Sequence, residues 1–261
     1  VTLANDKIPV IEIFGPTIQG EGSMIGRKTM FIRTAGCDYR CAWCDSAFTW
    51  DGSAKDQIKM MTPHQIYQHL LDISTLNMRS GVYGHDRNFD HVTISGGNPA
   101  LISQPMQELI WVLHKNGIRV GVETQGSKWQ DWFRTVDDLT ISPKPPSSGM
   151  TTDWKVLDDI IDRLTMPRTK TCTAVLKVVV FMNREDDWEY AKKVRKRYPH
   201  VNMFVSVGNT EIGKIDPEHH REILLDSLEW LFDKIIGDPE MNNVRPLPQL
   251  HTLVWGNKRG V

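Results

Sequence analysis

Seven apolar runs rich in β-branched residues recur along this chain: PVIEIF, TMFIR, HVTIS, IRVGVE, LTIS, AVLKVVVF and NMFVSV. Helical patterns fall between them, which is the signature of βα units and predicts one α/β domain, residues 1–261, with a mainly parallel sheet. Thr62 followed by Pro63 reads as an N-cap with proline at the first helical position, opening PHQIYQHLLDI. Ser103 opens QPMQELIWVLHKN, where Met106, Leu109, Ile110 and Leu113 repeat at helical spacing and Asn116-Gly117 ends the run. A third helix starts at Asn183 with an acidic first turn and ends basic at Lys192 to Arg197, which suits the helix dipole. A last one covers about Pro217 to Ile235. SPKPPSSGMTT and the stretch from Asn77 to Asn88 read as loops, and strand and helix patterns resume on both sides of each, so neither is a domain linker. Periodicity alone leaves barrel and open sheet as alternatives.

Polar motifs follow the C-terminal ends of the strands: AGCDYRCAWCDS after TMFIR, GGNP after HVTIS, ETQG after IRVGVE, SPK after LTI and GNTE after NMFVSV. Parallel α/β folds of either kind build their sites on that edge. Five motifs at one edge predict one shared site.

A formal net charge of −1 over 261 residues excludes a nucleic-acid surface built on a large basic excess and suits a small ligand. No apolar run approaches a membrane span, and the opening VTLANDKIPVIEIFG lacks a basic region followed by a long apolar stretch. The expectation is a cytoplasmic protein with no membrane and no nucleic-acid partner. In a reducing compartment clustered cysteines are metal ligands or reactive thiols more often than disulfides.

Cys37, Cys41 and Cys44 lie within eight residues in C-x3-C-x2-C spacing, while Cys172 stands far downstream. Structural zinc would need a fourth ligand. A redox pair would use Cys41 and Cys44 and leave Cys37 without a role. An iron–sulfur cubane held by three thiolates, with one iron open to a ligand, explains the isolated fourth cysteine best. Buried small hydrophobes are the dull alternative for any three cysteines.

C-x3-C-x2-C after the first barrel strand, with Trp43 just before the last cysteine, resembles the radical S-adenosylmethionine superfamily, and GGNP (Gly96 to Pro99) resembles its glycine-rich segment, with Asn98 where the usual form has Glu. EIFGPTIQGEG, FIRTAGC, CDSAFTW, ETQG, SPKPPSS and the tail PQLHTLVWGNKRGV are similar to the 7-carboxy-7-deazaguanine synthase family along nearly the whole chain. The resemblance implies a modified, incomplete (β/α)6-type TIM barrel. It implies a [4Fe-4S] cluster on Cys37, Cys41 and Cys44, with S-adenosylmethionine and Mg2+. The implied reaction is the ring contraction of 6-carboxy-5,6,7,8-tetrahydropterin to 7-carboxy-7-deazaguanine with release of ammonia, a lyase step towards queuosine. The pterin would be held by Ile18, Gln19, Gly20, Arg33 and Ser95. S-adenosylmethionine would be lined by Trp43, Cys44, Asp45, Gly97, Ser142, Pro143, Lys144, Ser206, Val207, Gly208 and Asn209, with Glu123 on its ribose hydroxyls. Ser46 matches a magnesium-binding hydroxyl that is Thr in many relatives; Mg2+ accepts neutral oxygen ligands. No side chain need act as a covalent catalyst, and positioning carries much of the work. A homodimer and an electron donor of the flavodoxin or ferredoxin type are also implied, while no contact is assigned within WGNKRGV.

Each of these residues has a plainer reading. Arg33 alone could be a strand-end surface charge, Lys144 a loop lysine, Glu123 a cap on a following helix, and Gly96-Gly97 a turn. Cys172 reads as structural. His64, His69, His85, His91 and His114 show no metal-ligand spacing, and Trp111, Trp129, Trp132, Trp188 and Trp230 read as core or interface. Two other functions stand as alternatives: a radical activating enzyme with a protein partner, and a non-catalytic zinc or iron–sulfur module. GPTIQGEG and CDS speak against the first, GGNP and SPK against the second.

Overall fold

The computed structural model describes residues 6–76, 87–166, 172–213 and 215–261. Of the loop expected from Asn77 to Asn88, residues 77–86 lie outside the described residues, as does His85. All seven expected strands form: β1 (Ile8–Ile18), β2 (Lys28–Thr34), β4 (His91–Gly96), β5 (Arg119–Thr124), β6 (Asp138–Ile141), β7 (Thr173–Val180) and β8 (Asn202–Val207). Two more were not expected, β3 (Lys59–Met61) and β9 (Val244–Leu247), one too short to show a period and the other carrying Pro246.

The sheet order is β3-β1-β2-β4-β5-β6-β7-β8-β9. β1 runs antiparallel to both β2 and β3, and every pair from β2 to β9 is parallel. β3 and β9 are free edges, so the barrel is open. Six parallel strands from β2 to β8 form the expected incomplete barrel, with β9 added as a seventh.

Crossover helices are α1 (Pro63–Leu76), α2 (Gln104–Lys115), α3 (Trp154–Thr165), α4 (Glu185–Arg197) and α5 (Pro217–Gly237), and a short α6 (Leu250–Trp255) follows β9. α1 starts as its sequence requires: Gln65 N donates to Thr62 Oγ1 at 3.3 Å, and Thr62 N donates to Gln65 Oε1 at 2.9 Å, a reciprocal cap. Ser103 does precede α2, but its hydroxyl accepts from Gln130 rather than capping the helix. α4 is flanked by Arg184, one residue past the expected Asn183. α3 was not expected, although Asp153 caps it and Leu157, Ile160, Ile161 and Leu164 bury its inner stripe.

The β5–β6 crossover has no α-helix and uses a 3-10 turn over residues 131–134 instead. Trp132 and Phe133 there are fully buried, with ring centroids 4.7 Å apart edge to face, and Trp132 Nε1 donates to Ile102 O at 3.0 Å. Two aromatics thus fill the space a helix would occupy. Trp188 is also buried, whereas Trp111 stands 56% exposed with Lys115 over its ring, so the core reading does not hold for it. Cys172 is buried, as its structural reading requires, and burial pushes its thiol up to about 12.

His91, fully buried at the start of β4, shares a 2.8 Å hydrogen bond with Thr29 Oγ1. Burial, with Arg27 and Arg119 nearby, pushes its imidazole down to about 4, against the opposing pull of Asp90 and Asp137. The fold therefore holds it neutral, while the unfolded chain protonates near pH 6.5. Its contribution is present above that value and falls as pH drops towards 4, by up to about 1.4 kcal/mol per pH unit. Urea unfolding at pH 7 and pH 5 should show His91→Leu losing less stability on acidification than the parent; equal losses would assign the acid sensitivity elsewhere.

Candidate active site

The C-terminal ends of the parallel strands surround one cavity of about 220 Å3. β2 brings Arg33 and runs into the cysteine loop, β4 brings Ser95 and the glycines, β5 brings Glu123 and Thr124. Ser142 and Lys144 follow β6, Lys177 projects from β7, and Gly208 and Asn209 follow β8. Most of the residues singled out by sequence meet here: Ile18, Gln19, Gly20, Arg33, Cys37, Cys41, Trp43, Cys44, Asp45, Ser46, Ser95, Gly97, Glu123, Ser142, Lys144, Gly208 and Asn209. Pro143, Ser206 and Val207 do not line it. Pro143 is buried, and Ser206 and Val207 sit within β8 in register with Val179 and Val180, just short of the strand end where Gly208 opens onto the cavity.

The three cysteines are half-buried free thiols on this cavity wall. Burial pushes each thiol up, Cys41 to about 11, while the buried Lys144 ammonium pulls in the other direction. Tyr39 N, Gln125 Nε2 and Trp50 Nε1 point N–H groups at sulfur, the first two at Cys37 (3.4 and 3.7 Å) and the third at Cys44 (3.5 Å). Three soft sulfur ligands within a ring of N–H donors and a cation fit an anionic iron–sulfur cluster. Lys144 lies 5.7 Å from the Trp43 ring centroid, and Trp43 packs on Phe181 and donates to Ser147 Oγ at 2.9 Å.

Asn98, standing where Glu is usual, is 1% exposed and is not among the residues lining the cavity. Its amide donates to Asp38 Oδ1 (2.9 Å) and Ser127 Oγ (3.0 Å), and its oxygen accepts from Thr124 Oγ1 (2.8 Å) and Ala100 N (3.1 Å). The side chain thus ties the cysteine loop to the end of β5. Leaving such buried partners unmet costs about 1–3 kcal/mol each, so the residue holds the loop rather than a ligand.

Gln19, which the resemblance assigns to the pterin, lines the cavity with its side-chain amide engaged within the protein. Its Nε2 donates to Glu123 Oε1 at 3.0 Å, and its Oε1 accepts from Gly20 N at 2.7 Å and Glu21 N at 3.3 Å. Glu123 caps no helix, since the segment after β5 is irregular, with bends at residues 126–128, until the 3-10 turn at 131. Its second oxygen lies 3.9 Å from Lys177 Nζ.

Arg33 is no free surface charge. It pairs with Glu12 at 2.7 Å, donates to Ser46 Oγ at 2.6 Å, and lies near the Phe14 and Phe48 rings. Ser46 Oγ donates in turn to Asp45 Oδ1 at 2.9 Å, which leaves one lone pair for a metal. Ligand atoms of Glu21, Asp45 and His251 lie within 4.8 Å of one another, and the two carboxylates among them are the hard oxygen donors Mg2+ takes.

Glu21, Lys177, Gln249 and His251 also line the cavity and were not singled out by sequence. Lys177 is legible in hindsight as the one charge within AVLKVVVF. The tail residues carry no such mark and arrive by folding: Leu250 N donates to Gly20 O at 3.0 Å, and Gln249 donates to Glu21 at 2.8 Å. A Cβ on Gly20 would lie 2.3 Å from His251 Nδ1, so glycine is what lets α6 seat there. Further along, Asn257 accepts from Asn209 at 2.8 Å, Arg259 reaches Glu12 at 2.7 Å, and Val261 lines the cavity. His64, His69 and His114 are outside the site: His64 lies 3.9 Å from Glu108, His69 is exposed, and His114 binds Asp137 at 2.9 Å.

No family model matches the chain. Among solved structures it is similar to QueE from Escherichia coli, with TM-score 0.63 and 22% identity over 92% of each chain. It is also similar to TYW1 with a lysine-pyruvate adduct bound, with TM-score 0.53 and 18% identity over 79% of this chain and 73% of that one. Both likenesses concern the fold. Among curated proteins, 7-carboxy-7-deazaguanine synthase of Bacillus cereus is 56% identical over 255 residues, 98% of this chain and 99% of the relative. The Bacillus subtilis enzyme of the same name is 54% identical over 254 residues, 97% of this chain and 98% of that relative. With matching sequence from end to end and three thiols on the cavity wall of an open parallel barrel, the chain belongs to the 7-carboxy-7-deazaguanine synthase family of radical S-adenosylmethionine enzymes.

Proposed function

We propose that this protein, acting as a single domain over 1–261, converts 6-carboxy-5,6,7,8-tetrahydropterin to 7-carboxy-7-deazaguanine with loss of ammonia, a step towards queuosine. The observation that carries the reading is the meeting of Cys37, Cys41 and Cys44 with Arg33, Ser46 and Lys144 around one cavity in a chain so similar to synthases of that name. Cys37, Cys41 and Cys44 would hold the cluster, which with bound S-adenosylmethionine would supply the radical hydrogen-abstraction chemistry the reaction needs.

The protein's part is to bind and orient. Arg33 Nη2 has no partner among the described residues, and a guanidinium paired with Glu12 and bonded to Ser46 can place that group on the substrate carboxylate. Ile18, Gly20 and Ser95 border the same side, with Gln19 supporting the loop through its internal bonds. Trp43, Cys44, Asp45, Gly97, Ser142, Lys144, Gly208 and Asn209, which line the cavity, would contact S-adenosylmethionine, with Glu123 on its ribose hydroxyls. Pro143, Ser206 and Val207 do not line the cavity and would support its wall only through their neighbours Ser142, Lys144 and Gly208. Ser46, beside Asp45, would hold Mg2+.

The proposal extends to a homodimer and to a flavodoxin- or ferredoxin-type electron donor in the cytoplasm. No helix among the described residues is long and apolar enough to cross a membrane. Leu225, Phe232 and Ile236 are exposed along α5, a face that a second chain can cover. A single-chain mass in sedimentation velocity would remove the dimer, and reduction of the cluster by neither protein class would remove the donor.

Anaerobic turnover decides the main reading. Reconstituted protein with reductant, S-adenosylmethionine, Mg2+ and the pterin should yield 7-carboxy-7-deazaguanine by mass spectrometry. 5′-Deoxyadenosine without that product would refute the substrate, and neither product from protein with an intact cluster would refute the enzyme.

A further inference from the structure

Lys177 is the only charged residue of β7, and its side chain is 6% exposed. Its ammonium bonds the Glu21 carboxylate from the loop after β1 and lies 3.9 Å from Glu123 Oε2 on β5. Glu123 Oε1 accepts from Gln19 Nε2, and Gln19 Oε1 accepts from the backbone N–H of Glu21. The contacts therefore close a ring, from Lys177 through Glu123, Gln19 and Glu21 back to Lys177. All four residues line the cavity.

Such a ring is costly as mere scaffolding. Desolvating an ammonium and two carboxylates carries a penalty of several kcal/mol per ion, and an apolar residue would serve a parallel strand as well. Burial would lower the lysine and raise the glutamate, yet the neighbouring opposite charges outweigh it in both, so Lys177 stays protonated and Glu21 ionised. The ring also spans two different parts of the site. Gln19 and Glu21 belong to the loop on the pterin side, and Glu123 ends the strand on the S-adenosylmethionine side.

We propose that Lys177 is a positioning residue that locks the Gln19–Glu21 loop to the end of β5, so that the two substrate subsites keep one shared geometry. The inference rests on the reading of the cavity given under Proposed function. Removing the lysine leaves Glu21 and Glu123 facing each other without their common counter-ion, and one of them must swing away. A movement of Glu123 carries Gln19 with it, because Gln19 Nε2 donates to that carboxylate, and a movement of Glu21 loosens the loop whose backbone N–H bonds Gln19 Oε1.

The test is equilibrium binding to reconstituted, unreduced holoenzyme, with S-adenosylmethionine and the pterin titrated separately against the parent, Lys177→Met, Glu21→Gln and the double variant. Lys177→Met should keep its iron content and bind each ligand at least about tenfold more weakly. Adding Glu21→Gln to it should recover part of that loss, because one of the two opposed charges is gone; a lysine that merely filled space would show no such recovery. Unchanged affinities in folded Lys177→Met, or a loss that Glu21→Gln leaves untouched, would overturn the proposal. If Lys177→Met alone does not fold, the double variant is compared with Glu21→Gln: weaker S-adenosylmethionine binding in the double variant supports the lock through Glu123, and equal binding refutes it. A parent protein that binds S-adenosylmethionine but not the pterin would refute the substrate assignment, while the S-adenosylmethionine titrations still decide the lock.

Discussion

Cys41→Ala is expected to give a folded protein that forms neither 5′-deoxyadenosine nor 7-carboxy-7-deazaguanine, a loss of at least about a thousandfold in turnover. Cys41 sits in the loop after β2, half-buried, and its thiol packs in no apolar cluster, so little folding energy is at stake. Its neighbours are the other two thiols and the Lys144 ammonium. With three thiolates on the wall, loss of one leaves two thiolates for the cluster and no further cysteine at the cavity to replace the third; Cys172 lies buried beside Asp137 and Asp138 at the start of β7. Iron and sulfide analysis after anaerobic reconstitution, read beside product by mass spectrometry and a far-ultraviolet dichroism spectrum, separates loss of cluster from loss of fold. Parental iron content with parental turnover would remove Cys41 from the ligand set.

Gly97→Ala should damage the same loop through the backbone. A Cβ on Gly97 would lie 2.0 Å from Gly36 O and 3.0 Å from Cys37 N, with nothing flexible in the way to yield. The two segments are also stitched together: Gly97 N donates to Thr34 O at 3.0 Å and Asn98 N to Gly36 O at 2.8 Å. Even one methyl group must therefore drive the cysteine loop off β4, breaking these bonds and moving Cys37. Gly96 is constrained in another way, with φ of +127° and a Cβ position 2.2 Å from Thr34 O. The expected result is a fall of more than about a hundredfold in turnover with reduced iron content, since displacing catalytic groups by about 1 Å already costs that much. Gly237→Ala is the control, because its Cβ would meet nothing within 4 Å. Parental cluster content in Gly97→Ala would show that the loop can retreat without losing the cluster.

These two variants also mark what local sequence carries. The cysteine trio and the GGNP turn are short, and each immediately follows a strand whose β-branched run is unmistakable. Residues bound so closely to a strand end inherit its position, and that is why five separate motifs can be placed at one edge from sequence alone. Helix starts were legible where the capping side chains lie next to the helix, as at Thr62 and Gln65. α3 carries the same kind of local signal, in Asp153 at its cap and in the spacing of its apolar residues. The Asn183 start was displaced by one residue, an ordinary fraying of helix ends.

What local pattern does not contain is which charges meet. The Gln19–Glu21 loop, Glu123, Lys177 and Gln249 come from separate parts of the chain, and their bonds span up to 228 positions in sequence. Whether Gln19 faces a ligand or its own protein depends on where Glu123 arrives, and whether Lys177 is a buried cation or a misplaced surface residue depends on two distant carboxylates. By itself, the sequence determined the βα alternation, the edge that bears the site and the three thiols on it, because those follow from period, turn chemistry and side-chain type. Only the tertiary structure decided the open edges of the barrel, the seating of α6 on Gly20 and the closed ring around Lys177. Those depend on strand pairing and on the desolvation of charges brought together by the whole fold, which no short window of residues encodes.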